Sequence, residues 1–249
     1  MFPPGPHQAL QQQFTQGSYL AQQGMMLEMN GNVMGAAQFF DQAAQILSQC
    51  LAVALQYQVP ISDQGWFSLA WCHFNAARTK AMIGWGAAAS AHLMQAHAAL
   101  NNAIGMNPSC GPYHSAMGVL LATEGNAPAA TQAFMRAVQL NPADGFSQYM
   151  LAILNQAQGN VAAGNQYFAV AQQYAGSLPP PQQTVQAHKG GEGFDWNGLV
   201  STAGQFFKAV NSVSSLFSQD SGQQAPSFGG GGGWGGGGWG GGDLGGFNW

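Results

Sequence analysis

The sequence of 249 residues repeats itself at an interval of 34 residues. Two consecutive segments end in Asn107-Pro108 and Asn141-Pro142, and small residues recur between them at the same interval. The same offsets return near the N-terminus, between Gly24 and Ala43. Self-similarity at a fixed period indicates a repeat architecture, in which each unit buries its apolar face against its neighbours. The matched pairs are Gly84/Gly118, Ala96/Ala130, Ala103/Ala137 and Pro108/Pro142.

Each repeat is predicted to form two antiparallel helices joined by a short turn. In the repeat around residue 120, apolar residues recur at helical spacing on both sides of Gly125-Asn126, which interrupts the two stripes. The same dipeptide occurs as Gly31-Asn32 and Gly159-Asn160. The glycines at 24, 84 and 118 are expected to lie in the first helix, where the two backbones approach closely, with Phe40, Phe134 and Phe168 filling the space beyond.

This pattern resembles the tetratricopeptide repeat (TPR) family, with Gly in the first helix, Ala, Phe and Ala in the second, and a closing Pro. The resemblance implies an all-α fold, a TPR-like right-handed superhelix of antiparallel helix hairpins over residues 1–178. The units are assigned to 17–50, 77–110, 111–144 and 145–178. Residues 51–76 fit no unit, so the helices that begin near 32 and 64 are expected to be longer than normal.

In TPR arrays, residues of the first helices line a concave groove that receives a peptide or a helix. Since Arg78 is the one cation among the matched positions, the groove is expected to be apolar and unsuited to an acidic C-terminus. The competing interpretation is that the same side chains form ordinary core between repeats. The groove positions that the resemblance implies are Met25, Arg78, Trp85, Val119, Phe146, Tyr149 and Ile153.

The character of the sequence changes after residue 178. Residues 179–193 are rich in Pro and Gly and are predicted to be a linker. Residues 194–219 are predicted to form an amphipathic helix, and the Gly-rich, Trp-containing tail over 220–249 is predicted to be disordered. The apolar stripe of the helix is expected to dock somewhere. A membrane surface is the poorer choice, because interfacial helices usually carry Lys and Arg and this one has only Lys208, so docking on this chain or on a neighbour is favoured. The residues of the stripe include Trp196, Leu199, Phe206, Phe207, Val210 and Phe217.

Charged residues make up 6% of the chain, against about 25% in a typical soluble protein. Five Lys and Arg residues cannot form the basic footprint that nucleic acid or an anionic membrane surface requires. No run of about 20 apolar residues is present to span a bilayer. Protein is therefore the expected partner.

No set of residues predicts an enzyme, a metal site or a cofactor site. His92 and His97 are about 140° apart on one helix, and Glu28 and Asp41 are expected to sit singly at helix ends or turns. The cysteines Cys50, Cys72 and Cys110 lack metal-site spacing, so all three are expected to be buried thiols.

Two classes of function remain. The first is a non-enzymatic scaffold that binds another protein through an apolar groove of low charge. The second is a structural protein that assembles with itself into a homo-oligomer or filament, because few charges oppose association. A cytoplasmic location is the default expectation, since no signal peptide or glycosylation acceptor is evident and the cysteine count is odd. The alternative is an extracellular fibre.

Overall fold

A computed structural model of the chain describes residues 6–175, 178–190 and 193–194, with side chains over 9–174 and 178–188. The predicted amphipathic helix, apart from Phe194, and the predicted tail lie outside the described residues. The chain divides into two compact units, one within Met1–Pro108 and the other within Ser109–Ala225. We call them unit 1 and unit 2 and describe each by itself.

Unit 1 contains two long helix hairpins. The first pairs α1 (Pro6–Met29) with α2 (Val33–Gln56), and the second pairs α3 (Asp63–Met82) with α4 (Gly86–Met106). Each helix packs on the next along the chain. With 24 residues in α2 and 20 in α3, the predicted lengthening of these two helices is confirmed.

Unit 2 contains two shorter hairpins and a final short helix. Helices α5 (Gly111–Thr123) and α6 (Ala127–Leu140) form one hairpin, and α7 (Gly145–Ala157) and α8 (Val161–Ala175) form the other. The segment predicted as a linker contains α9 (Pro181–Ala187), which packs on α7. Proline at the first position of α9 favours this helix because its fixed φ suits a helical start. Two antiparallel strands of two residues each follow: β1 (Lys189–Gly190) and β2 (Gly193–Phe194).

The turns inside the hairpins share one backbone conformation. Gly31, Gly84, Gly125 and Gly159 have φ between +77° and +82°, a left-handed region that favours glycine. The prediction that Gly84 lies in a first helix at a close approach is therefore wrong. Helix α4 begins ten residues before Ala96, whereas α6 begins three residues before the matched alanine, Ala130. The extra seven residues are two helical turns, which move Gly84 into the turn.

The predicted close approach of the two helices is confirmed in two of the hairpins. Gly24 of α1 faces the ring of Phe40, and Gly118 of α5 faces the ring of Phe134. Both rings are completely buried. The alanines one turn before and after each ring are also completely buried: Ala36, Ala43, Ala130 and Ala137.

These two glycines offer a matched pair of substitutions. In Gly118→Ala the new Cβ would lie 2.7 Å from Phe134 Cε1, whereas in Gly24→Ala the nearest ring atom of Phe40 lies at 3.1 Å. We expect overpacking of about 1–3 kcal/mol at Gly118 and a smaller loss at Gly24, each reduced by the higher helix propensity of alanine. Urea denaturation of the two variants measures the difference. Equal effects would contradict this account.

Helix α7 is buried from its first residue, Gly145, to Leu154. Every residue from Asp144 to Leu154 is buried, and α6, α8 and α9 all pack on this helix. A helix that is buried on all sides lies in the interior of its domain. The core of unit 2 is therefore built around α7.

Candidate interaction surfaces

In unit 1 the predicted groove residues lie in different environments. Met25 and Arg78 are buried, with 6% and 8% of their surface exposed, whereas Trp85 is half exposed. Trp85 lies in the α3–α4 turn, at the N-cap of α4, and not in a first helix as the resemblance implies. Among these three, Trp85 alone presents a large apolar surface to solvent.

Arg78 is engaged by a carboxylate from α1. Its two terminal nitrogens donate to the two carboxylate oxygens of Glu28 at 2.5 and 2.6 Å, and one of them also donates to Asn75 Oδ1. Such two-pronged pairing is the strongest arrangement of an Arg–carboxylate bond. The expectation that Glu28 sits singly is wrong, because its carboxylate is paired with Arg78. The two residues are 50 positions apart in the sequence. The guanidinium is therefore not available to a charged partner.

The predicted groove residues of unit 2 contribute to its core. Val119, Phe146, Tyr149 and Ile153 are all buried, and the ring of Phe146 lies edge-on to that of Phe134. The Tyr149 hydroxyl donates to the carbonyl of Pro179 and lies 2.9 Å from the hydroxyl of Thr184 on α9. Burial raises the pKa of this phenol, which stays protonated and able to donate. Partner binding by these four residues stays a prediction.

A surface rich in methionine lies at the end of unit 1 that carries both intrahairpin turns. The α1–α2 and α3–α4 turns share this end because successive helices are antiparallel, and the Glu28–Arg78 pair joins the adjacent ends of α1 and α3. Each of five large apolar side chains there is about half exposed or more. We call them the turn-end surface: Met26, Met29, Met34, Met82 and Trp85.

Trp85 stands at the N-cap of α4, where two other hairpins have a capping asparagine. At the corresponding turns, Asn32 and Asn126 accept hydrogen bonds from the backbone amides of Gly35 and Ala129. Trp85 occupies the same N-cap position of α4 and makes no side-chain capping bond. A missing cap costs about 1 kcal/mol of helix stability. The sequence therefore places an exposed indole where the neighbouring hairpins have a stabilising amide.

A polar cluster links α2, α3 and α4 of unit 1. His73 Nδ1 lies 2.9 Å from His92 Nδ1, and the other nitrogen of His73 lies 3.2 Å from the hydroxyl of Ser48. His92 Nε2 lies 2.9 Å from both Asp41 Oδ1 and Lys80 Nζ, which are themselves 3.0 Å apart. We call these five residues the histidine cluster. They come from Asp41 and Ser48 on α2, His73 and Lys80 on α3, and His92 on α4. The expectation that Asp41 sits singly at a helix end or turn is therefore wrong.

Two arrangements of protons fit the neutral rings, and each leaves one contact without a hydrogen bond. In the first, His92 Nε2 donates to Asp41, His92 Nδ1 accepts from His73 Nδ1, and His73 Nε2 accepts from Ser48, so Lys80 donates to Asp41 alone. In the second, Lys80 donates to both Asp41 and His92 Nε2, His92 Nδ1 donates to His73 Nδ1, and His73 Nε2 donates to Ser48. Burial, and then the neighbouring His92, lowers the pKa of His73 from 6.5 to about 4. Burial and Lys80 also lower the pKa of His92. Both rings are therefore neutral at pH 7.

The cluster contains a hydroxyl, an imidazole and a carboxylate, but it lacks other parts of an active site. Ser48 lies inside α2, where backbone amides are engaged in the helix and cannot form an oxyanion hole. Lys80 contacts Asp41, at the opposite end of the chain of contacts from Ser48. Within the described residues, no three His, Cys, Asp or Glu side chains are grouped so that they could hold a metal ion.

Comparison with known proteins identifies similar solved structures at low identity. No family model and no curated protein matches the chain. A crystal structure of MamA shares 14% identity, with coverage of 61% of this chain and 93% of that chain and a TM-score of 0.36. A thermophilic TPR protein of Thermus thermophilus, TTC0263, shares 18% identity over 75% and 98%, with a TM-score of 0.42. A second MamA structure gives 15% identity over 68% and 98%, with a TM-score of 0.35.

The helix hairpins of this chain define its fold. Successive antiparallel helices meet at Gly24 and Gly118 against completely buried Phe rings, with a left-handed glycine in each turn. The fold is TPR-like. The predicted all-α, TPR-like fold class is confirmed over residues 6–175, and the right-handed superhelical course stays a prediction. No helix in the described part of this TPR-like chain is long and apolar enough to cross a membrane.

The three thiols lie in different environments. Cys50 and Cys72 are buried, and burial raises their pKa to about 11 and about 12. Cys110 is partly exposed at the N-cap of α5, so its assignment to the interior is wrong. A sequence pattern could not place Cys110, because it lies between two helices and outside the apolar stripes.

We expect a thiol reagent to label Cys110 first in the native protein. The thiolate is the reactive form, and the raised pKa of Cys50 and Cys72 disfavours it. Labelling with a maleimide, followed by peptide mass spectrometry, measures the three rates. Cys50 and Cys72 should react only after addition of denaturant. Native labelling of Cys72 as fast as that of Cys110 would contradict the described burial.

Proposed function

We propose that this protein is a non-enzymatic TPR-like scaffold that binds an apolar partner on the turn-end surface. The observation that carries the proposal is the half-exposed indole of Trp85. Trp85 is the N-cap residue of α4, but its side chain makes no capping hydrogen bond. Tryptophan is enriched among the residues that dominate binding energy at protein interfaces. Binding of a partner by the Trp85 side chain would offset the helix stability that is lost without a capping hydrogen bond.

The chemistry of the surrounding side chains defines the partner. Four methionines accompany Trp85, and their flexible, polarisable side chains adapt to apolar partners of different shape. Glu28 and Arg78 neutralise each other and are mostly buried, so they offer no free charge to an acidic or basic motif. An amphipathic helix with aromatic residues on its apolar face fits this surface.

The low charge of the chain supports a second candidate, assembly of the protein with itself. The net charge is −4 over 249 residues, so repulsion between copies is weak. The apolar stripe predicted over residues 194–219 has the chemistry that the turn-end surface requires. Docking of this segment on a neighbouring copy would build an oligomer or a filament.

A labelled peptide tests the proposed surface directly. The probe is a synthetic peptide of residues 194–219 that carries a fluorophore, and its anisotropy is followed as the protein is added. The protein is the full chain with Phe206→Ser and Phe207→Ser, so that its own segment does not compete. We expect binding that weakens at least about tenfold when Trp85→Ala is added.

Met94→Ser is the matched control. Met94 is the most exposed methionine on α4 and lies two and a half turns from Trp85, outside the turn-end surface. Its substitution should change the affinity less than about twofold. Equal effects of the two substitutions, or the absence of peptide binding, would count against the proposal. Light scattering of the unaltered chain over a range of concentrations separates self-assembly from a monomeric scaffold.

A further inference from the structure

The histidine cluster joins three helices of unit 1 through side chains alone. Helix α2 contributes Asp41 and Ser48, helix α3 contributes His73 and Lys80, and helix α4 contributes His92. His92 thus attaches α4 to both of the other helices, at distances of 2.9 Å to His73 and 2.9 Å to Asp41. Apolar contacts alone would hold these helices at any pH, whereas this chain of hydrogen bonds requires neutral imidazoles.

We propose that the histidine cluster is an acid-sensitive latch, which holds α4 against α2 and α3 and opens when its two imidazoles take up protons. This inference is independent of the proposed scaffold function. It assigns to unit 1 a conformational response that the turn-end surface does not require.

The charges of the cluster explain why protons open it. With neutral imidazoles, Lys80 and Asp41 balance each other, and the net charge of the five residues is zero. The first proton adds a cation beside Lys80. A proton on whichever of the facing Nδ1 atoms accepts puts an N–H on both atoms, which are 2.9 Å apart, so neither can accept and the contact must break. A second proton leaves both imidazoles charged. Three cations would then share the one carboxylate of Asp41.

The sign of the pH dependence follows from the lowered pKa values. The unfolded or opened state binds a proton on each histidine near pH 6.5, whereas the closed state resists protonation of His73 until about pH 4. The stabilisation by neutral His73 is therefore complete above pH 6.5 and is lost as the pH falls toward 4. For each histidine whose pKa is lowered in the closed state, the equilibrium constant for opening rises by up to about tenfold for each unit by which the pH falls in this window.

Hydrogen–deuterium exchange of the full chain measures the opening. We expect the amides of α4, corrected for intrinsic exchange, to lose protection by about 40-fold between pH 6.5 and 4.5, from His73 alone. Helix α6 of unit 2 provides the internal control, because it is also a second helix and contains no histidine. Its protection should stay within about threefold over the same range.

Two variants separate the cluster from histidines in general. In His73→Gln with His92→Gln, protection of α4 should no longer depend on pH in this window. In His97→Gln, which removes a histidine of α4 outside the cluster, the full pH dependence should remain. An unchanged pH dependence in the double variant would overturn the proposal.

A measurement on the unaltered protein keeps the proposal testable if the double variant does not fold. Nitrogen-15 NMR of the imidazoles reports the protonation of each ring nitrogen. The expected spectrum at pH 7 has one protonated nitrogen on each ring and a proton on only one of the two facing Nδ1 atoms, with midpoints below 6.5 for both rings. Midpoints at or above 6.5, or α4 protection that does not change with pH, would refute the latch.

Discussion

Arg78→Ala is expected to lower the free energy of unfolding of unit 1 by about 3–5 kcal/mol. The substitution leaves the Glu28 carboxylate, whose side chain is 16% exposed, without the guanidinium that now contacts both of its oxygens. A mostly buried carboxylate without a partner must be protonated or hydrated at a cost in free energy. Chemical denaturation at pH 7, followed by circular dichroism, measures the loss.

The control for this prediction removes both charges. In Glu28→Leu with Arg78→Met, no unpaired charge remains, so most of the lost stability should return. Such a result would assign the cost to the orphaned carboxylate and not to lost packing of the Arg78 stem. A double variant as unstable as Arg78→Ala would contradict this assignment.

Phe134→Ala is expected to destabilise unit 2 by about 3–5 kcal/mol. The ring is completely buried, lies over Gly118 of α5 and contacts the ring of Phe146 of α7 edge-on. Glycine has no side chain with which to fill the space left by the ring, so the cavity cannot collapse easily. Urea denaturation measures the change.

Met135→Ala, at the next residue of α6, provides the comparison for Phe134→Ala. Met135 is 39% exposed and leaves little cavity when shortened, so the loss should stay below about 1 kcal/mol. If the two variants were equally stable, Phe134 would not have the central position in the core that the fold assigns to it.

The second helices of the repeats could be predicted from the sequence because their pattern is local. Ala, Phe and Ala at a spacing of three or four residues mark the buried face of α2 and α6, and the structure buries these residues completely. The turn at Gly125-Asn126 has an equally local cause, a left-handed glycine followed by a capping asparagine. Such features depend on residues a few positions apart, so a single sequence reveals them.

Features that depend on distant residues could not be predicted. The Glu28–Arg78 pair joins positions 50 apart, and the histidine cluster joins three helices whose rotation about their axes fixes which side chains meet. The position of Gly84 was mispredicted because α4 gains two whole turns, and an insertion of seven residues preserves the helical phase of the pattern that follows. Periodicity therefore cannot reveal the insertion.

The burial of α7 from Gly145 to Leu154 has a consequence for how unit 2 unfolds. A helix with solvent on one side can detach while the rest of a domain persists, but α7 contacts α6, α8 and α9 at once. Its release would expose all three neighbours together, so partial opening has no intermediate of low free energy. Unit 2 should accordingly melt as one cooperative block, and brief proteolysis should leave its helices either intact together or digested together.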